Sequence, residues 1–255
     1  MVEKCLLKKF GVFCLFFVAL TLSLLGQEAQ SGAAVLTGQD APADFKWTPA
    51  NENQASYGLL SLDGKDRQFY VDTGTFFAPV KASASRDLYT RYTSKPVKEL
   101  KFYDRKQDGK TVYFNEVFSV NVEDLRDFIV LIFANEEGKI LAKAVDISLK
   151  KMPLASLSVV NVSPYKLGLA ADKSFAKLDP FESYSKKFSG DADEIKVCTL
   201  RMYDLKNPKA PKLLLTKSYS FWTTKRIVVF FFELPRMENA SERPASLVMY
   251  DRGPR

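Results

Sequence analysis

At a shift of one hundred residues, the second half of this chain reads much like the first. Residues 55–62 (ASYGLLSL) lie on 155–162 (ASLSVVNV), and 97–104 (VKELKFYD) lie on 197–204 (VCTLRMYD), with four of those last eight positions identical. Residues 127–133 (DFIVLIF) then lie on 226–232 (RIVVFFF) at a shift of ninety-nine. Chance matches between β-rich stretches do not keep register from position 55 to position 133. A period of this length is that of a whole domain and exceeds any solenoid unit, so the pattern predicts a tandem duplication.

Each copy reads as β throughout, and no stretch shows a sustained 3.6-residue period. In the second copy, strands are expected near 157–162, 167–171, 175–181, 194–203, 213–222, 227–234 and 245–250, separated by turn signals such as Ser163-Pro164 and Asp179-Pro180. Cys198, Leu200 and Met202 alternate onto one face of their strand. The run 227–232 (IVVFFF) has no polar interruption and is expected in a buried central strand, with Lys225, Arg226 and Glu233 as flanking gatekeepers. In the first copy, Asp63-Gly64, Gly109 and Gly138 mark turns that favour hairpins. Strand number and spacing together predict an all-β fold of two tandem antiparallel β-sandwich (Ig-like) domains. The expected boundaries are 55–150 and 155–252, joined by a connector at 149–153 (LKKMP).

Ahead of these lies an address. Met1 to Lys9 carry three lysines against Glu3, and 10–25 (FGVFCLFFVALTLSLL) run sixteen residues without a charge before small residues resume at Gly26. A basic start, a short apolar stretch and a small-residue boundary define a secretory signal peptide, expected at 1–26. An uncleaved membrane anchor is the competing reading, although the run falls short of the ~20 residues that span a bilayer. Export would remove Lys4, Lys8, Lys9 and Glu3, so 37 cationic and 30 acidic residues become 34 and 29, a net +5. It would also remove Cys5 and Cys14, leaving Cys198 without a disulfide partner, as suits a periplasmic or secreted bacterial protein. Residues 27–54, rich in Ala, Gln, Asn, Asp and Pro, read as a flexible linker with Phe45 and Trp47 as its large anchors.

Chemistry is narrowed mainly by elimination. The chain contains no histidine, which removes Ser-His-Asp and Cys-His nucleophiles and imidazole zinc sites. It contains no G-x-S-x-G, phosphate loop or C-x-x-C. Three acidic groups occur at turn-like positions: Glu123-Asp124, Glu136-Glu137 and Asp191-Ala-Asp193-Glu194. They read as solvated loop charges, with a carboxylate-pair hydrolase or a calcium site as the sharper alternatives. Cys198 reads as a small buried hydrophobe. The basic stretch Lys206 to Lys212 occupies one loop, and elsewhere cations alternate with acids, which argues against nucleic acid. Mild affinity for anionic envelope polymers or lipid headgroups is expected from the charge. Tyr103 with Tyr203, and Phe118 with Tyr219 if the local shift is one hundred and one, stand at matching positions and read as core packing; exposed in a row, they would instead stack on sugar rings.

Residues 161–165 (NVSPY) and 178–183 (LDPFES) resemble exported bacterial β-sandwich repeat domains of unknown function, which carry N-x-S-P and L-x-P-G-E-S; Phe181 stands where those have glycine. The resemblance implies a fold and an address, and no activity. The sequence therefore predicts an exported, non-catalytic structural, assembly or binding module of the bacterial envelope. No catalytic, cofactor-binding or metal residue is nominated, no cofactor is expected, and the ligand-binding residues are unknown. The expected partner is an envelope protein or polysaccharide, with no nucleic acid, and with membrane contact only through an uncleaved N-terminus. A carbohydrate-binding module is the first alternative.

Overall fold

The computed structural model describes residues 35–48, 54–83, 91–92, 97–134, 137–191, 194–233 and 244–251. The signal-peptide reading for 1–26 lies outside the described residues. No described residue is helical. The first half contains β1 (Val35–Thr37), β2 (Ser56–Ser61), β3 (Arg67–Asp72), β4 (Phe77–Ala82), β5 (Arg91–Tyr92), β6 (Glu99–Asp108), β7 (Thr111–Asn121), β8 (Asp127–Ala134) and β9 (Ile140–Asp146). The second contains β10 (Ser156–Asn161), β11 (Leu167–Ala171), β12 (Ser174–Leu178), β13 (Ser183–Lys187), β14 (Ile195–Asp204), β15 (Lys212–Trp222), β16 (Arg226–Glu233) and β17 (Pro244–Asp251).

The two halves share one strand order. Sheets β5-β2-β8-β9 and β13-β10-β16-β17 correspond, as do β7-β6-β3-β4 and β15-β14-β11-β12, with β1 added at the edge of β7. Irregularities correspond as well: β6 slips register between Phe102 and Tyr103, and β14 between Met202 and Tyr203. Within each half the two sheets face each other across an apolar core, so each is sandwich-like.

One pairing differs from the antiparallel expectation. β2 runs parallel to β8, and β10 parallel to β16. Each parallel pair is joined by a long connection, residues 62–126 and 162–225, as parallel neighbours require in place of a tight turn. Burial of the strands on both faces removes the alternation of a sheet with one wet side. Phe128, Val130 and Ile132 face the first core, and Ile227, Val229 and Phe231 the second. The intervening Ile129, Leu131, Val228, Phe230 and Phe232 meet in a third cluster, together with Leu60, Val160 and Met152. The halves are thus stacked back to back, four sheets deep, over a shared middle layer.

Arg226 closes one end of that layer. Read from sequence as a surface gatekeeper, it is instead fully buried. Its guanidinium donates to the carbonyls of Ile147 and Met152 and lies 3.7 Å from the Asp127 carboxylate. Asp127 and Arg226 hold the same register position in their halves, opposite Ser56 and Ser156 respectively, and their opposite charges face each other across the two halves. The connector is also tied in: Met152 is buried, and Ser156 and Ser185 hydroxyls donate to the carbonyls of Pro153 and Lys151.

Within the segment read as a flexible linker, 35–48 lies along the first half. β1 pairs with β7, Asp40 takes the Arg105 guanidinium at 2.8 Å, and Trp47 packs on the first core with Phe45 edge-on at 5.2 Å. Of the turns read as hairpins, Gly109 and Gly138 do join paired neighbours. Asp63-Gly64 instead carries the chain from β2 across to β3 in the facing sheet. There the Asp63 carboxylate accepts two bonds from Arg67, at 2.5 and 2.6 Å, and one from Ser61 at 2.8 Å. The Arg67 bonds hold the Asp63 carboxyl down to about 2, from 3.8. A carboxyl depressed in the folded state stabilises above its unfolded pKa and loses that contribution as pH falls toward the folded one. Asp63→Asn is therefore expected to cost about 1–2 kcal/mol at neutral pH. In urea titrations the difference should shrink steadily below pH 4, and a pH-independent difference would contradict this assignment.

A candidate interaction face on the outer sheet of the second half

Alternation places the two faces of β12-β11-β14-β15 in different surroundings. Leu167, Leu169, Cys198, Leu200, Met202, Tyr219 and Phe221 point into the second core. The opposite face carries Ile195, Val197, Thr199 and Arg201 on β14, and Trp222, Ser220 and Ser218 on β15, paired Ile195 with Trp222 and Val197 with Ser220. Val197, Phe175, Ile195, Leu213 and Trp222 are 61%, 60%, 53%, 51% and 43% exposed. Of the eight large hydrophobic residues found exposed among the described residues, these five share one face of one sheet. Scattered surface hydrophobics are ordinary; concentration on a single face is the informative observation.

The matching face of the first half is charged. Positions equivalent to Thr199 and Arg201 are Glu99 and Lys101; Lys101 bridges to Glu116 at 2.9 Å, and Ser119 donates to Glu99 at 2.6 Å. The Glu116 carboxylate raises the pKa of Lys101. Two faces of the same construction therefore differ in kind, one solvated by ion pairs and the other apolar.

Two clusters punctuate the apolar face. At one end, Ile195, Val197 and Trp222 stand together at the start of β14 and end of β15. At the other, Lys177, Gly168, Tyr203 and Leu213 form one row across the sheet. A Cβ on Gly168 would lie 3.4 Å from the Phe175 ring and 3.1 Å from Leu205, so glycine lets both close over the strand. Thr199 and Ser218, their hydroxyls 3.0 Å apart, and Arg201 opposite Thr216 separate the two clusters.

The aromatics singled out from sequence resolve differently. Tyr103 and Tyr203 do match, each following its bulge, and Tyr103 is buried while Tyr203 is half-buried. Phe118 and Tyr219 do not match: Phe118 lies opposite Phe102, whose counterpart Met202 lies opposite Leu215, whereas Tyr219 lies opposite Cys198. Phe118 and Tyr219 are both buried, so neither belongs to an exposed stacking row.

Among the described residues, the acidic candidates are not brought together. Glu123 bridges to exposed Lys98 at 2.6 Å beside a hollow of about 410 Å³ that Asp124, Leu125 and Arg126 also line. Asp124 turns the chain there with φ 64°. Glu194 is held by Lys196 at 2.5 Å, which lowers its pKa. Glu136 and Asp193 lie outside the described residues. Asn161 joins the two motif segments, donating to the carbonyls of Tyr165 at 2.8 Å and Leu178 at 3.2 Å and accepting from Ser163. Phe181 turns that corner with φ 63°, the left-handed region that favours glycine.

Cys198 is fully buried, and burial with a hydrogen bond to Asp172 pushes its thiol up to about 12. The thiolate is the reactive form, so a maleimide reagent at pH 8 should leave the folded chain from Gln27 on, which lacks Cys5 and Cys14, unlabelled and modify it once in denaturant. Prompt labelling of folded protein would contradict that placement.

The sequence hinted at the apolar face without disclosing it: residues 195 and 197 are apolar on the parity opposite to the core-facing Cys198, Leu200 and Met202. Neither a protein-family model nor a curated protein matches this chain.

Proposed function

We propose that this chain is an exported, non-catalytic binding or assembly module, built from two copies of one Ig-like sandwich, which meets its partner through the outer face of β12-β11-β14-β15. The carrying observation is the concentration of five of eight exposed large hydrophobics on that face, against ion pairs on its counterpart. The shared strand order and the matching bulges support descent of both halves from one ancestral sandwich. The basic, apolar start of the sequence supports export to a periplasm or beyond. An envelope protein suits this face better than a polysaccharide, because Trp222 and Phe175 sit at opposite ends and offer no continuous aromatic platform.

The test is capture from envelope extract and on cell-wall polysaccharide by the chain from Gln27 on, which keeps every described residue. Exposed apolar anchors dominate such interfaces, so Trp222→Ser with Val197→Ser should weaken capture by at least about tenfold while leaving thermal stability unchanged. Capture insensitive to both changes would overturn the assignment of this face.

A further inference from the structure

The lysine-rich end of this face has a chemistry of its own. Phe175 and Leu213 are exposed there, and exposed Lys177, Lys206, Lys209 and Lys212 lie on the same strands and the adjoining loop. Lys177 lies in the same cross-sheet row as Leu213, and the other three belong to the loop that links Tyr203 to Leu213. Lys206 sits 4.6 Å over the Tyr165 ring. No described carboxylate pairs with Lys177, Lys209 or Lys212. Of the nearby acids, Asp179 is taken by Lys166 at 2.8 Å, and Asp204 accepts the backbone N–H of Lys206.

The charge is also uneven along the chain. Residues 155–255 hold seventeen Lys and Arg against eleven Asp and Glu, whereas 55–154 hold sixteen against fourteen. The excess cation thus belongs to the half that carries the apolar face.

We propose that this end of the β12-β11-β14-β15 sheet docks on an anionic phospholipid surface, with Phe175 and Leu213 entering the headgroup boundary and the four lysines lying over lipid phosphates. The proposal rests on the reading of this face as the binding face and names one of its partners. Lysine favours a lipid surface over a protein site: it is a strongly hydrated point charge on a flexible stem, suited to a diffuse negative plane, whereas planar bidentate recognition selects arginine. Exposed apolar side chains beside a cationic loop match interfacial attachment, which draws on shallow apolar burial plus attraction to anionic lipid.

The experiment is flotation of the chain from Gln27 on with vesicles of phosphatidylcholine alone, or with about a third phosphatidylglycerol. Binding is expected only to the anionic vesicles, and should fall severalfold between about 0.05 and 0.5 M salt. Each lysine near such a surface contributes roughly fivefold, so Lys206→Gln, Lys209→Gln and Lys212→Gln together should weaken binding by about a hundredfold. Phe175→Ser with Leu213→Ser should weaken it by about tenfold without lowering the melting temperature, since both side chains are exposed. Trp222→Ser with Val197→Ser, at the far end, should leave vesicle binding intact. Equal binding to neutral vesicles, or binding that survives the triple lysine change, would overturn the proposal. Capture of an envelope protein without vesicle binding would overturn the lipid assignment and leave the binding face standing. Failure of both would overturn the two together.

Discussion

Arg226→Ala is expected to lower the unfolding free energy by about 3–5 kcal/mol, a large share of the stability of an ordinary domain. The side chain has no exposed surface, and its guanidinium serves two backbone carbonyls and the Asp127 carboxylate. Its removal strands acceptors that water reaches poorly, and the penalty for leaving such groups unmet exceeds the net worth of the bonds lost. Arg226→Met keeps most of the volume while removing the charge and the hydrogen bonds to Ile147 and Met152. Adding Asp127→Asn to Arg226→Met should recover part of the loss, because no partly buried charge then lacks its counterpart. Urea unfolding of the four proteins checks this, and a loss under 1 kcal/mol for Arg226→Ala would contradict the role assigned here.

Phe230→Ala is expected to cost about 3–5 kcal/mol as well, through lost transfer energy and the cavity left behind. Phe230 is fully buried in the middle layer, between the two inner sheets, where Leu60, Ile129 and Leu131 approach from the first half. Because that layer belongs to both halves, the change should lower the unfolding midpoint of each. An effect confined to the second half would mean that the layer is packed against one sheet only.

The repetition at a near-constant shift foretold the matching strand order, and parity foretold that Cys198, Leu200 and Met202 face a core. The uninterrupted run ending at Phe232 foretold a buried strand. It could not reveal what covers each face, because a central strand in one sandwich and a strand between two stacked cores read alike. The parallel pairing was illegible for the same reason. Arg226 was misjudged because arginines next to apolar strands are ordinarily solvated, and its carbonyl partners lie more than seventy residues away. The Phe118 and Tyr219 match failed because the hairpins differ in length: Phe102 pairs with Phe118, sixteen residues on, whereas Met202 pairs with Leu215, thirteen residues on, which moves the match away from Tyr219. The apolar face was half-legible, since residues 195 and 197 break the polar expectation for an outer surface, yet only the sheet order puts Trp222 and Leu213 beside that strand.

The chain holds two tryptophans, Trp47 against the first core and Trp222 on the second half. Trp47→Phe and Trp222→Phe therefore leave one fluorescent reporter in each half in turn, and neither reporter touches the middle layer. If the halves share a core through Ile129, Leu131, Val228 and Phe230, the two variants should unfold in urea with coincident midpoints and equal slopes. Two separated transitions, with Phe230→Ala lowering the midpoint that Trp222 reports and leaving the one that Trp47 reports unchanged, would contradict the stacked architecture and make the halves independent sandwiches.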